Sequence, residues 1–187
     1  MPRIPAPTEP LSDGRVTLRL SAERDIPEIL IAYQDDPGLH LRLGEDQPPS
    51  GAELGRREEG AATERAAGAQ LTLTILEPGS DVCRGQINVD EVDWDNQRAQ
   101  LAIWLVPQVR RRGLGSAALA LASQWLLDVC ELERVQLITA PDNEPMIRTA
   151  HAAGYEHEGV LRGYVKLRGR RADAAILSLL PSGGAGD

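Results

Sequence analysis

An α/β sheet layered with helices on both faces is what this sequence predicts, and three observations carry the prediction. Apolar residues alternate at period 2 in some segments and recur at i, i+3, i+4, i+7 in others, and the two kinds intermix along the chain. A short apolar run, Ala99-Gln100-Leu101-Ala102-Ile103-Trp104-Leu105-Val106, reads as a buried strand. A long helical pattern starts soon after it at Leu114, and a glycine-rich turn joins the two.

The first strand is expected over 14–20 and the first helix over 24–35. A helix over 52–67 is the weakest in local terms, because Gly55, Gly60 and Gly68 lower its propensity. Residues 70–77 alternate Leu71, Leu73 and Ile75 with Thr72 and Thr74, the mark of a half-buried strand. A strand over 82–90 follows, and Asp93-Trp94-Asp95-Asn96 has hairpin chemistry before the strand over 98–106. In the helix over 114–131, Leu114, Ala117, Ala118, Leu121, Ala122, Trp125, Leu126 and Val129 form one apolar face. A strand over 134–140, a helix over 144–153 stopped by Gly154, and strands over 155–165 and 173–180 complete the order. One domain is expected over 1–187, with an ordered core of about 14–180. Met1 to Pro10 and Ser182 to Asp187, rich in Pro, Gly and small residues, are expected to fray.

The 187 residues suffice to bury a single core. No apolar run is long enough to cross a membrane, and the first residues, Met1 to Pro7, lack a secretory apolar core, so a cytoplasmic protein is expected. Cys83 and Cys130 fall on a strand and a helix and read as buried thiols of a reducing compartment. With only three scattered histidines, no metal site is expected. The formal net charge is −8, unevenly placed: 19 acidic and 10 basic residues precede Ala99, and 9 and 10 follow from there. An acidic first half attracts a cationic amine and repels nucleic acid, and it equally serves as a solubilising surface.

The turn is Arg110-Arg111-Arg112-Gly113-Leu114-Gly115-Ser116. Free N–H groups of the first helical turn, at the positive end of the helix dipole, favour a phosphate. Gly113 and Gly115 let the backbone approach an anion, and the arginines add positive charge. There is no Gly-Lys-Ser/Thr of a P-loop, and a dinucleotide fingerprint would need a third glycine where Ala118 stands. The turn reads as a pyrophosphate cradle.

Arg110-x-x-Gly113-x-Gly115 resembles the acyl-CoA pyrophosphate signature of the GNAT superfamily of N-acetyltransferases. The sequence after it resembles the ribosomal-protein N-terminal acetyltransferase (RimJ/RimL-like) branch: Pro141-Asp142-Asn143-Glu144-Pro145 as a turn into a helix, Gly154-Tyr155 where the family usually has Gly-Phe, Glu158-Gly159-Val160-Leu161-Arg162-Gly163, and a closing Asp173 to Leu180 strand. Val16 to Leu20 and Glu23 to Ile26 are similar to the branch's first strand and helix, so the resemblance covers about residues 14 to 180. It implies a mixed, mostly antiparallel sheet of about seven strands, splayed between the fourth and fifth, and a monomer or homodimer. Acetyl-CoA is the implied cosubstrate. The backbones of Trp104, Leu105 and Val106 would pair with its pantetheine amides, one N–H also facing the thioester oxygen. Arg110, Arg111, Arg112, Gly113, Leu114, Gly115 and Ser116 would hold the pyrophosphate, and Asn143 would hydrogen-bond the arm. Because the loop is expected to be exposed, a bulky residue at Gly115 should remove CoA binding and spare the fold.

The implied reaction is direct attack of a neutral amine on the acetyl carbonyl, which needs a base, an oxyanion donor and a proton for the thiolate. Here the sequence departs from the family. Gln100 stands where the branch often has a Glu base, Met146 where it often has Ser, and Ala150 where other members have Tyr. Glu91, with Asp90 and Asp93 beside it, is the replacement candidate for the base. His151 and Tyr164 are candidates for the acid, Asn143 for positioning, and His40 for bordering the acceptor. The expected function is transfer of acetyl from acetyl-CoA to a primary amine, either a protein N-terminus or a small cationic amine. The alternative is a non-catalytic acyl-CoA-binding sensor or partner module.

Overall fold

Eight strands form one sheet in the computed structural model, which describes residues 4–167 and 169–181. In chain order they are β1 (Leu11–Ser12), β2 (Thr17–Leu20), β3 (Leu71–Leu76), β4 (Gly85–Asp93), β5 (Arg98–Leu105), β6 (Arg134–Thr139), β7 (Glu156–Leu167) and β8 (Arg170–Leu179). The helices are α1 (Ile26–Asp35), α2 (Leu39–Arg42), α3 (Gly51–Ala66), α4 (Leu114–Val129) and α5 (Glu144–Ala152). The sheet order is β1-β2-β3-β4-β5-β6-β8-β7, antiparallel throughout except for β5 beside β6.

Every expected strand and helix is present, with ends moved by a few residues. Two short elements, β1 and α2, were not expected, and β1 brings the strands to eight. The N-terminal segment is also more engaged than expected. Ile4 is buried in the core, its N–H on the Arg65 carbonyl, so order begins well before residue 14. The expected fraying of Met1–Arg3 and Ser182–Asp187 lies outside the described residues, as does Arg168 of the β7–β8 turn. The glycine-containing α3 forms behind a capping box: Glu53 N–H donates to Ser50 Oγ, and Glu53 accepts from the Ser50 N–H.

The three central strands keep a common parity, because β3–β4 and β4–β5 pair residues whose numbers are both odd or both even. Odd positions carry the apolar face: Leu71, Leu73, Ile75, Ile87, Val89, Ala99 and Leu101 are buried in one hydrophobic cluster with α4 residues such as Leu119, Ala122 and Leu126. Even positions carry Thr72, Thr74, Gln86, Asn88, Asp90, Gln100, Ala102 and Trp104, a polar face shielded by α1 and α3. A polar surface out of bulk water must find partners or enclose a site.

At one end of that face the partners are internal. Arg19, nearly buried, forks onto Asp25 at 2.7 and 2.9 Å, and its Nε donates to Asp81 at 2.8 Å. Thr74 Oγ1 and the Ala22 N–H also donate to Asp25. Burial raises the Asp25 carboxyl, but the Arg19 guanidinium, the Thr74 hydroxyl and the Ala22 N–H overcome this and hold it below the usual carboxylate range. Asp25→Ala leaves a buried guanidinium half-partnered and should cost about 3–5 kcal/mol in urea unfolding. Because the folded pKa is depressed, the contribution is complete above about pH 4, the unfolded value, and should fade as pH falls through the folded one. An equal loss at pH 7 and at pH 2.5 would contradict this account.

Candidate active site

β5 and β6 are paired only from Arg98–Leu101 against Arg134–Leu137. Beyond Leu101 the ladder opens: Ala102–Leu105 remain on β4, while Ile138 and Thr139 pair with β8. The splay expected between the fourth and fifth predicted strands is therefore present, and falls between β5 and β6 once β1 is counted. A cavity of about 990 Å³ fills the opening, lined by Leu101–Leu105 on one side and Leu137–Thr139 on the other.

Backbone alternation decides which groups face the gap. The Val106 N–H donates to the Arg84 carbonyl at 2.9 Å. Trp104, two residues earlier, points the same way, and its carbonyl sits so close to Gly85 that a Cβ there would lie 2.1 Å from the oxygen. Trp104 thus turns its main-chain groups to β4, and Val106 spends its N–H on Arg84 and its carbonyl on the Val109 N–H, contrary to the expectation that both would pair with a pantetheine arm. The groups directed at the gap are those of Leu105, as expected, and Ile103, which the sequence reading passed over.

The same cavity reaches the start of α4, where Gly113, Gly115 and Ser116 line it. The first backbone bond of the helix runs from Ala117 N–H to the Gly113 carbonyl, and no side chain caps the end. Four N–H groups, of residues 113–116, are left for an incoming acceptor. Arg111 (φ +62°) and Gly113 (φ +80°) are both left-handed and bend the loop into the helix. Arg110 and Arg111 line the cavity; Arg112 is exposed and Leu114 is buried, and neither lines it. Arg110 is held at both ends: its Nε donates to the Leu105 carbonyl at 2.9 Å, and its other end pairs with Asp36. Asp36 also pairs with Arg42, a cavity residue on α2 that sequence reasoning missed. The Arg42 hydrogen bond first, with Arg110 added and burial opposing, holds the Asp36 carboxyl down at about 2. Asn143 lines the cavity as the cap of α5: its Oδ1 accepts from Met146 N–H, and its Nδ2 donates to Thr139 Oγ1 at 2.9 Å.

A second cavity of about 560 Å³ lies over the polar face, walled by α1, α3, Gln86, Asn88 and Asp90. It shares Leu43, Ala102 and Trp104 with the first, so the two meet at the open part of β5.

Residues 15–156 match the family model described as an acetyltransferase (GNAT) domain. The chain belongs to the GNAT acetyltransferases. Acetyl-CoA is the cosubstrate of this family, and the uncapped α4 N-terminus, the arginines and the open β5 edge suit its phosphates and its amide-bearing arm. Among similar proteins is YdaF of Bacillus subtilis (strain 168), provisionally named a ribosomal N-acetyltransferase, 28% identical over 171 residues, which are 88% of this chain and 91% of YdaF. N-acetyltransferase p20 of Bacillus licheniformis, itself uncharacterized, is 27% identical over 108 residues, 58% of this chain; the chain spans only 61% of that protein's length. Mycobacterium smegmatis RimJ, solved in complex with CoA-disulfide, superposes with a TM-score of 0.79 at 21% identity, covering 92% of this chain and 86% of RimJ, a likeness of fold.

Three residues named from sequence for the GNAT chemistry stand outside both cavities. Glu91 occupies the β4 bulge at φ +47°, exposed and turned away by the alternation that brings Asp90 inward. His151 is exposed on α5, its Nδ1 3.0 Å from the Tyr155 carbonyl, which fixes that nitrogen as the donor. Tyr164 is exposed in the bulged part of β7. His40, on α2, lines neither cavity, and its Nδ1 is buried without a partner. Ala150 is fully buried, and Met146 lines the larger cavity with a thioether that has no proton to give.

Gly115 also corrects an expectation, since it is buried and not part of an exposed loop. A Cβ there would lie 3.2 Å from Leu105 Cδ1 and 3.3 Å from Thr149 Cγ2. Gly115→Val should therefore lose about 1–3 kcal/mol by overpacking in addition to weakening acetyl-CoA binding. Gly113→Ala meets open space and should cost only about 1–2 kcal/mol of left-handed strain. Thermal melts beside calorimetry separate the two effects; an unchanged melt for Gly115→Val would show that the site yields without strain.

Proposed function

We propose that this GNAT chain moves an acetyl group from acetyl-CoA to a primary amine, a protein N-terminus or a small cationic amine, by direct attack. The observation that carries the reading is the meeting of the two cavities at Leu43, Ala102 and Trp104, beside the unpaired edge of β5. In this reading the larger cavity takes the cosubstrate. Its phosphates lie at the N–H groups of residues 113–116 with Arg111 and Arg42 nearby, and its amides lie along the main chain of Ile103 and Leu105. Asn143 positions the arm through its cap, and Arg110 braces the loop against Leu105 and Asp36. The amine enters the smaller cavity and reaches the carbonyl at the shared wall. Positioning of this kind supplies much of the rate of an acyl transfer, and an N–H at the open edge stabilises the oxyanion.

Calorimetry with acetyl-CoA and free CoA is expected to give micromolar binding that Arg111→Glu weakens at least tenfold. An amine panel of Ser- and Ala-terminated peptides and spermidine should then give saturable, amine-dependent thiol release. No binding of either nucleotide removes the proposal. Binding without thiol release across the panel leaves the non-catalytic acyl-CoA module in its place.

A further inference from the structure

Resting on that reading, we propose that Asp90 forms the ammonium-receiving end of the acceptor cavity, backed from the neighbouring strand by Gln100, which does not itself line the cavity, and that Asp90 takes the proton the amine must lose. Asp90 and Gln100 are cross-strand partners of β4 and β5 and share the polar face. Asp90 lines the smaller cavity, and Ala102, where that cavity meets the larger, stands two residues beyond Gln100 on the same face. Asp90 Oδ1 and Gln100 Oε1 are both buried, and neither has a hydrogen-bond donor. Two orphaned acceptors on adjacent strands carry a desolvation cost that a donor of protons removes. An ammonium group is such a donor, and so is a protonated Asp90.

Three of the six other charged groups that line the cavity are engaged. From the segment after α2, Glu45 accepts from the Tyr33 hydroxyl of α1 and from Arg57 of α3. Glu58 of α3 accepts from Ser21. Arg56, Glu64 and Arg65 stand on the α3 wall, and the polar groups from β3 and the residue before it, Thr72 and Gln70, are neutral. Glu91, next in sequence, faces away but adds its negative charge. Burial first, then Glu91, push the Asp90 carboxyl up to about 6, with the Gln100 amide pulling the other way. Against an α-amino group near 8, proton transfer to such a carboxylate is uphill by about a hundredfold, compared with about ten-thousandfold for an ordinary Asp.

The balance is simple. The ammonium gives one proton to Asp90. The freed nitrogen lone pair forms the C–N bond, and the second nitrogen proton leaves with the sulfur as the C–S bond breaks. Asp90 then returns its proton to solvent. Asp90→Asn should lower kcat/KM at pH 7 by at least a hundredfold and abolish the limb near pH 6, with acetyl-CoA affinity unchanged. Its melting temperature at pH 7 should not fall, because a carboxyl whose folded pKa is raised costs stability once it is charged. Adding Gln100→Glu to that variant, which places a carboxylate on the partner strand, should recover at least tenfold.

A variant that keeps more than a third of the wild-type rate, or its limb near pH 6, would overturn the proposal. A second readout needs no turnover: the carboxyl carbon resonance lost in Asp90→Asn should titrate near pH 6 and shift to lower pH with spermidine or an Ala-terminated tripeptide. Titration in the ordinary range, or no response to either amine, overturns it as well. Acetyl-CoA binding without turnover in the wild type counts against the transferase reading, while the resonance still decides Asp90.

Discussion

The divergence of β5 from β6 is the constraint on which the rest of this molecule depends. Parallel pairing lasts four residues and then stops inside the sheet, where unpaired main-chain groups are costly. The chain tolerates the opening because each strand is secured on its far side. β5 stays on β4 through Gly85, whose missing side chain admits the Trp104 carbonyl, and β6 stays on β8. The open wedge leaves main-chain groups of Ile103 and Leu105 without a neighbouring strand, a surface that suits an extended, amide-bearing molecule.

The loop after β5 turns the same strand into an electrostatic site. Val106 closes the β4 ladder, a short 3₁₀ turn at Pro107–Val109 carries the chain out, and two left-handed residues deliver it to an uncapped helix. Asp36 balances Arg110 and Arg42 together, one carboxylate against two guanidiniums, so the surroundings of the loop keep an excess of positive charge. The first half of the chain supplies that carboxylate and most of the walls of the smaller cavity, where carboxylates and arginines of α3 stand together.

Periodicity made the elements legible because burial imposes it: Leu71, Leu73 and Ile75 repeat at 2, and the α4 face repeats at 3.6. The glycine turn from β5 into α4 was legible because it is local, strand then glycines then helix. What escaped was set by side-chain direction and by distant contacts. Glu91 and Asp90 are neighbours in sequence, and only strand register and the bulge at 90–93 decide which of them faces inward. Val106 looked free until Arg84 was seen to accept its N–H. Gly115 looked exposed until Leu105 and Thr149, from two other elements, were found against it. β1 and α2 are too short to carry a period, and nothing in the sequence signals that Arg42 lines the larger cavity or shares a carboxylate with Arg110.

The common parity of β3, β4 and β5 has an evolutionary consequence. Odd positions hold the apolar layer that keeps the domain folded, and even positions such as Gln86, Asn88, Asp90 and Ala102 line the smaller cavity. A side chain at residue 86, 88 or 102 thus changes the lining of the smaller cavity without entering the packed layer that α4 covers. The fold divides its own mutational risk between two sides of one sheet, the cavity lining on one and the packed layer on the other.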